Sequence, residues 1–430
     1  MKSLIILTLL LPLLVACSWF EKNANPPLEG ERTAVLPQAD QLKSESASTP
    51  TLDAAQDVAN WPAQNQNIFQ TGAHANITPK FEKIWDRSIG EGKSDRKEIT
   101  TRPVAADGKI FAMDNRGNLT AMDAKSGKLL WRVRSRAESN SALAGGLTVD
   151  NGVLYVTNGL SQILAVSAAN GGKIWSANLD APARTAPTVA DGKVFVVTRG
   201  GQSFCLDAQS GKILWQHKGL LESAAILSGA APAADGEMVM IPYASGEVLA
   251  MAAGNGSVLW GESLASGRAE NNLATLHDLR APPMILDDII IAANYASNIT
   301  AMERRSGDRV WAHNFGALQP MTTSGDTVFL ITTNSQLVAI NRKSGELFWS
   351  VPLQSEEREA GEPQEYWYGP LLLNGQLFVL SANGMGELRD AMTGAVTAAH
   401  DDLAEPAENP ITANGMIYWT TASGEVVAYQ

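Results

Sequence analysis

A turn signal that returns at a steady interval constrains this chain more than any other feature. An Asp-Gly or Asn-Gly pair stands at Asp107-Gly108, Asn151-Gly152, Asp191-Gly192, Asp235-Gly236, Asn374-Gly375 and Asn414-Gly415. Asp287-Asp288 and Gly325-Asp326 fill the two gaps, so the steps are 44, 40, 44, 52, 38, 49 and 40 residues. Such dipeptides favour two-residue hairpins, because both central residues must reach positive φ. The stretch Ala186–Trp215 shows one whole unit: a proline lead, a short run, the Asp191-Gly192 turn, an alternating strand, a second turn near Arg199–Gly201, another strand, the Ser210-Gly211 turn, and a strand carrying Trp215. Each unit therefore reads as four short antiparallel strands, and eight of them at this spacing suit a propeller.

A second signal, a small polar residue and glycine, follows at Ser126-Gly127, Gly171-Gly172, Ser210-Gly211, Asn255-Gly256, Ser306-Gly307, Ser344-Gly345 and Thr393-Gly394. Trp131, Trp175, Trp215, Trp260, Trp311 and Trp349 come three or four residues later. Mostly small residues precede the glycines: Ala121, Ala165, Cys205, Ala250, Ala301, Ala339 and Leu388. Small slots opposite large indoles suggest tight sheet-to-sheet seams covered by the tryptophans. The last unit ends at Gln430 one strand short, and Phe81–Trp85 offers a strand with a tryptophan and no blade before it. The reading is an all-β, eight-bladed β-propeller spanning 61–430, its last blade completed by this N-terminal strand, which removes two sheet edges.

Upstream, Leu4–Val15 is an apolar run after Lys2, followed by Ala16 and Cys17, which reads as an export signal over 1–16. Leu14-Val15-Ala16-Cys17 resembles the bacterial lipoprotein box, which implies lipidation of Cys17, and Ser18 resembles the outer-membrane sorting pattern. Residues 17–60 are rich in Pro, Ser, Glu and Asn without either structural period, and read as a flexible tether. The net charge of −12 argues against wholesale nucleic-acid binding.

The recurring A-x-D-x-x-S/T-G-K-x-x-W pattern, as in Ala121 through Asp123 and Gly127 to Trp131, resembles the docking motif of quinoprotein-type eight-bladed propellers. With the lipoprotein box and the tether, the chain from about Trp61 onward is similar to the lipoprotein propeller family of the outer-membrane β-barrel assembly machinery. That resemblance implies a non-enzymatic scaffold, lipid-anchored at the outer membrane and facing the periplasm, with no cofactor. Its implied partner is the barrel-inserting subunit, with unfolded outer-membrane protein clients as a second class. The alternatives are another envelope scaffold and a quinone-dependent dehydrogenase-like protein.

Dehydrogenase chemistry finds little support in the residues. No adjacent cysteine pair exists, Cys205 sits in a packing slot, and Asp123 and Asp207 recur at motif positions that suit structural hydrogen bonds. His74, His217, His277, His313 and His400 are scattered without metal-ligand spacing. No phosphate-binding or dinucleotide fingerprint appears.

Length variation falls instead in the interblade connections, where recognition usually resides. Gly219–Pro232 carries Leu220, Leu221, Ile226 and Leu227, and Leu273–Pro283 carries Leu276 and Leu279 beside Asp278 and Arg280. Apolar anchors beside a few charges suit a protein interface, and satellite core under the loops is the other reading. In the resembled family these connections contact the partner through leucines, an arginine and two aspartates. Carried over, Ala224 and Ile226 match the leucines, Leu227 replaces the arginine, Asp278 matches one aspartate and Arg280 replaces the other; Leu279 is a further apolar anchor. The acidic loop Ser350–Gly369 reads as solvated, with Tyr366, Trp367 and Tyr368 turning inward, or as a platform for a basic protein or extended client strands.

Overall fold

The computed structural model describes residues 48–430 apart from 94–98, 100, 136–144, 184, 221–228, 266–277, 296–297 and 354–364. Cys17, the export signal and most of the tether fall outside these residues. The described chain is all-β, built as eight antiparallel four-stranded blades in sequence order. Blade 1 runs Val104–Ala106, Lys109–Met113, Asn118–Asp123 and Leu129–Arg134, from the inner strand outward. At five of the Asp-Gly and Asn-Gly pairs both residues take positive φ, as at Asp191 (46°) and Gly192 (71°), which is the hairpin geometry expected of them.

The seams repeat one device. Each small slot lies opposite its tryptophan in the ladder, as Cys205 opposite Trp215 and Ala250 opposite Trp260. The indole then reaches the following blade: Trp85 Nε1 donates to Ala124 O (3.1 Å), Trp175 to Ala208 O (2.9 Å) and Trp215 to Ala253 O (3.0 Å). Its ring lies against the second-signal glycine of that blade, where a Cβ on Gly211 would stand 2.5 Å from Trp175. In blade 2 the glycine doing this is Gly171, at φ 73°, four residues before Trp175, so the motif register there is Asn170-Gly171. Gly211→Ala should therefore cost about 2–4 kcal/mol, from left-handed strain plus overpacking. Gly192→Ala, with the same φ and nothing near its Cβ, should cost about 1–2 kcal/mol. Denaturant midpoints of the two variants check the difference.

The seam between blades 7 and 8 departs from the pattern. Blade 7's outer strand Val396–His400 has no tryptophan, and Leu388 faces Ala398, so large and small have changed places. Phe81 fills the gap, with ring centroids 4.7 Å from Phe378 and 4.5 Å from His400. The expected closure is observed: Lys83–Ser88 pairs antiparallel with Glu425–Tyr429 and completes blade 8. Every outer-strand ladder also carries a register shift just before its tryptophan position. A bulge repeated on each edge disfavours further strand pairing there.

One boundary expected from composition needs correction. The end of the supposed tether is docked from Thr51, not free up to residue 60. Thr51 and Asp53 bond the Ser324–Thr327 hairpin of blade 6, and the chain then circles the inside of the ring. Val58 O accepts from Asn414 N, Trp61 bridges Ala105, Pro62 O accepts from Val149 N, and Gln64 Oε1 accepts from Thr185 Oγ1 and Ala231 N. Ile68, Phe69 and Thr71 accept from Ala234, Ile285 and Thr323, and His74–Ala75 adds a parallel strand inside blade 7. All eight blades are thus touched in turn. The segment has no hydrophobic period because side-chain amides hold it: buried Asn65 and Gln70 bond each other and the carbonyls of Met321 and Pro232.

Candidate functional site

The internal belt meets the far ends of most inner strands, which leaves a funnel at the end where the interblade connections arrive. Its lining includes Gln64, Arg102, Ala186, Arg280, Glu408 and Asn409, around a cavity of about 20 Å³. Arg102 is 8% exposed; its Nε donates to Asn409 O (3.1 Å), Nη1 donates to Gln64 O, and its guanidinium lies 5.8 Å from the Trp61 ring centroid. Burial pushes its pKa down to about 10, partly offset by Glu408, so it stays charged at neutral pH. Arg280 donates from Nη1 to the Tyr366 hydroxyl, stacks over that ring, and pairs with Glu408 at 3.7 Å. Asn409 Nδ2 donates to Gln319 Oε1 (2.7 Å) and Asn409 Oδ1 accepts from Gly369 N (2.7 Å), tying blades 6, 7 and 8 together.

The six partner-binding candidates fare differently. Ala224, Ile226 and Leu227 lie outside the described residues. Leu279 is 1% exposed and sits in the core cluster with Ala230, Met240, Val248 and Ile285, with its carbonyl accepting from Ala230 N. The reading of Leu279 as a surface anchor is therefore corrected to satellite core: a leucine beneath a long connection gains more from burial than from solvent. Asp278 is equally buried, and its carbonyl accepts from Tyr295 N, so it is not a surface charge either. Only Arg280 of the described trio reaches the funnel. Trp367 is buried and Tyr366 turns to Arg280, as the inward-aromatic reading of the acidic loop expects. Arg102, Gln64 and Glu408 were missed. A signal existed for the first: prolines 103, 187, 232, 320, 370 and 410 lead into inner strands, and among the residues just before them Arg102 alone is charged.

Groups that could suggest catalysis have structural partners. Asp207 Oδ1 accepts from Ser210 N (2.8 Å) and Oγ (2.6 Å), and Asp123 does the same with Ser126, which holds both carboxyls below their usual range. Burial pushes the Cys205 thiol up to about 12.

Three overlapping matches at 78–144, 115–351 and 321–430 tie this sequence to the family described as outer membrane protein assembly factor BamB. The chain belongs to the BamB family. The BamB of Yersinia pestis is 25% identical over 355 residues, covering 81% of this chain and 88% of that protein. The crystal structure of BamB from Moraxella catarrhalis superposes with a TM-score of 0.68 at 19% identity, covering 81% of this chain and 99% of the other. A quinohemoprotein alcohol dehydrogenase from Pseudomonas putida gives 0.66 at 15% identity, covering 87% and 80%, a likeness of fold alone. A quinone cofactor with its metal does not fit this funnel: the cavity takes about one water, and no group of three potential metal ligands occurs among the described residues. The relatives in the BamB family are named as assembly factors, and the non-enzymatic reading stands on that membership.

Proposed function

We infer that this chain is a scaffold in outer-membrane protein assembly and docks the barrel-inserting subunit of the assembly complex through its interblade connections. Membership of a family of assembly factors carries the reading. Asymmetry between the two faces supports the choice of surface. One face presents short hairpin turns closed by the belt, while the other carries the long connections and the funnel. In this proposal Ala224, Ile226 and Leu227 touch the partner, Arg280 flanks it, and Asp278 and Leu279 set the second connection from beneath. Cys17 is lipidated, residues 18 to about 50 form the tether, and the propeller faces the periplasm from the outer membrane.

Extended clients fit less well, since strand addition would meet a bulge on every blade edge. The test is co-purification from detergent-solubilised outer membranes. Wild-type chain should recover the barrel-inserting subunit. Ile226→Asp with Leu227→Asp should reduce recovery about tenfold or more, as expected for loss of apolar anchors, with the melting temperature nearly unchanged. Undiminished recovery overturns this surface.

A further inference from the structure

The belt holds one histidine, His74, and its half-buried ring joins three elements. Gly375 N, in the first hairpin of blade 7, donates to His74 Nε2 (3.0 Å). A backbone N–H can only donate, so Nε2 carries no proton and the neutral ring carries its proton on Nδ1. Nδ1 then donates to Asp53 O (2.8 Å), with Ser324 Oγ of blade 6 at 3.3 Å. Blade 6 holds Asp53 in turn: its N donates to Ser324 Oγ (2.9 Å) and its carboxylate accepts from Gly325 N (2.8 Å). The start of the belt is thus tied to blades 6 and 7 through an imidazole whose two nitrogens have opposite roles.

An imidazolium cannot fill that place. Protonation makes Nε2 a donor facing the donor of Gly375, so a hydrogen bond becomes two opposed N–H groups. Burial also opposes the charge and lowers the ring's pKa below its ordinary value near 6.5, partly offset by the carbonyl and carboxylate of Asp53. The charged groups on the packed elements are few. The entering chain brings Asp53 and Asp57, the latter accepting from Asn76 Nδ2 (3.0 Å). The blade 6 hairpin brings Asp326, which Arg342 and Lys343 pair at 3.6 and 3.4 Å, and residues 374–376 bring none. Asp53 alone of these acts on the ring. A turn of its carboxylate toward the imidazolium breaks its bond from Gly325 N, so it loosens the belt from blade 6 as well.

We propose that His74 is an acid-released latch: neutral, it fastens residues 51–55 to blades 6 and 7; protonated, it lets them go. The released form binds more protons than the latched one. Latching is therefore complete above about pH 6.5 and is lost as pH falls through the lower, folded value. Five freed residues lengthen the tether by roughly 16 Å. That gain in reach rests on the anchoring at Cys17 proposed above; the latch does not.

The test is hydrogen exchange of the peptide spanning 51–56 in the full chain in detergent, at pH 7.5 and pH 5. Rates are divided by those of the free peptide at the same pH, which removes the intrinsic pH dependence. Protection in wild type should fall severalfold in acid, while the core strand Lys193–Val197 keeps its own. His74→Gln can accept from Gly375 N and donate to Asp53 O without titrating, so its protection should stay high at both pH values. His74→Ala should be poorly protected at both. Equal protection of wild type at the two pH values overturns the latch, as does an acid loss that survives in folded His74→Gln. If His74→Gln fails to fold, His74→Ala decides: an acid-dependent loss in it, or full protection, overturns the latch equally. None of these outcomes depends on the lipid anchor or on partner docking, so failure here leaves both readings standing.

Discussion

Deleting residues 81–88 is expected to abolish cooperative unfolding of the whole propeller, not merely to lower its midpoint. The deletion removes the outer strand of blade 8, leaving Glu425–Tyr429 as an open edge. It removes Phe81 from the blade 7 and 8 seam and Trp85 from the next, where the indole bonds Ala124 O. The backbone exchange between Glu82 and Gln430, which fixes the C-terminus, is lost with them. A ring whose blades each rely on two neighbours has no stable open form of the same compactness. Calorimetry or circular dichroism should show a broad, low-amplitude transition. A single sharp transition near that of the parent would contradict closure by this strand. Trp85→Ala is the milder form and should cost about 3–5 kcal/mol while leaving the transition cooperative.

Leu279→Asp should be the most destabilising single substitution in the interblade connections. Leu279 is 1% exposed among Ala230, Ala233, Met240, Val248 and Ile285. Losing a buried leucine costs about 2–5 kcal/mol, and an uncompensated carboxylate adds to that. We expect a loss of at least about 4 kcal/mol, lowering the melting temperature by several degrees. The penalty should shrink in acid, because burial raises the new carboxyl's folded pKa, and protonation removes the buried charge. A melting temperature equal to wild type would show that Leu279 is not core. Any loss of partner capture in this variant reflects folding before recognition, which is why the docking test rests on Ile226 and Leu227.

Blade number, turn positions and the closing strand were legible because each leaves a periodic or positional trace. Asp-Gly pairs need positive φ, and Trp215 opposite Cys205 is a volume rule that recurs in every motif-bearing blade. The exception at Leu388 was visible too: the large residue in the small slot accompanies the missing tryptophan and the appearance of Phe81. Residues 51–75 left no such trace. They are held by hydrogen bonds such as Asn65 to Met321 and Gln70 to Pro232, across 256 and 162 residues of sequence; composition alone reads the part before residue 61 as tether and gives no sign that the rest lines the inside of the ring. The depth of Leu279 was hidden for a related reason. Connections lack a period, so a leucine on top of one and a leucine beneath it look alike until the blades under them are in place. Arg102 was legible only by comparison across repeats, as the charged residue in a row of small or neutral ones.

The measurement that tests the docking account most directly is site-specific photocross-linking in intact cells. A photoreactive residue at Ile226, on an interblade connection, is compared with one at Asp191, on a hairpin of the opposite face. The account predicts an adduct between position 226 and the barrel-inserting subunit, and none from position 191. An adduct from 191 alone, or equal adducts from both, would contradict it.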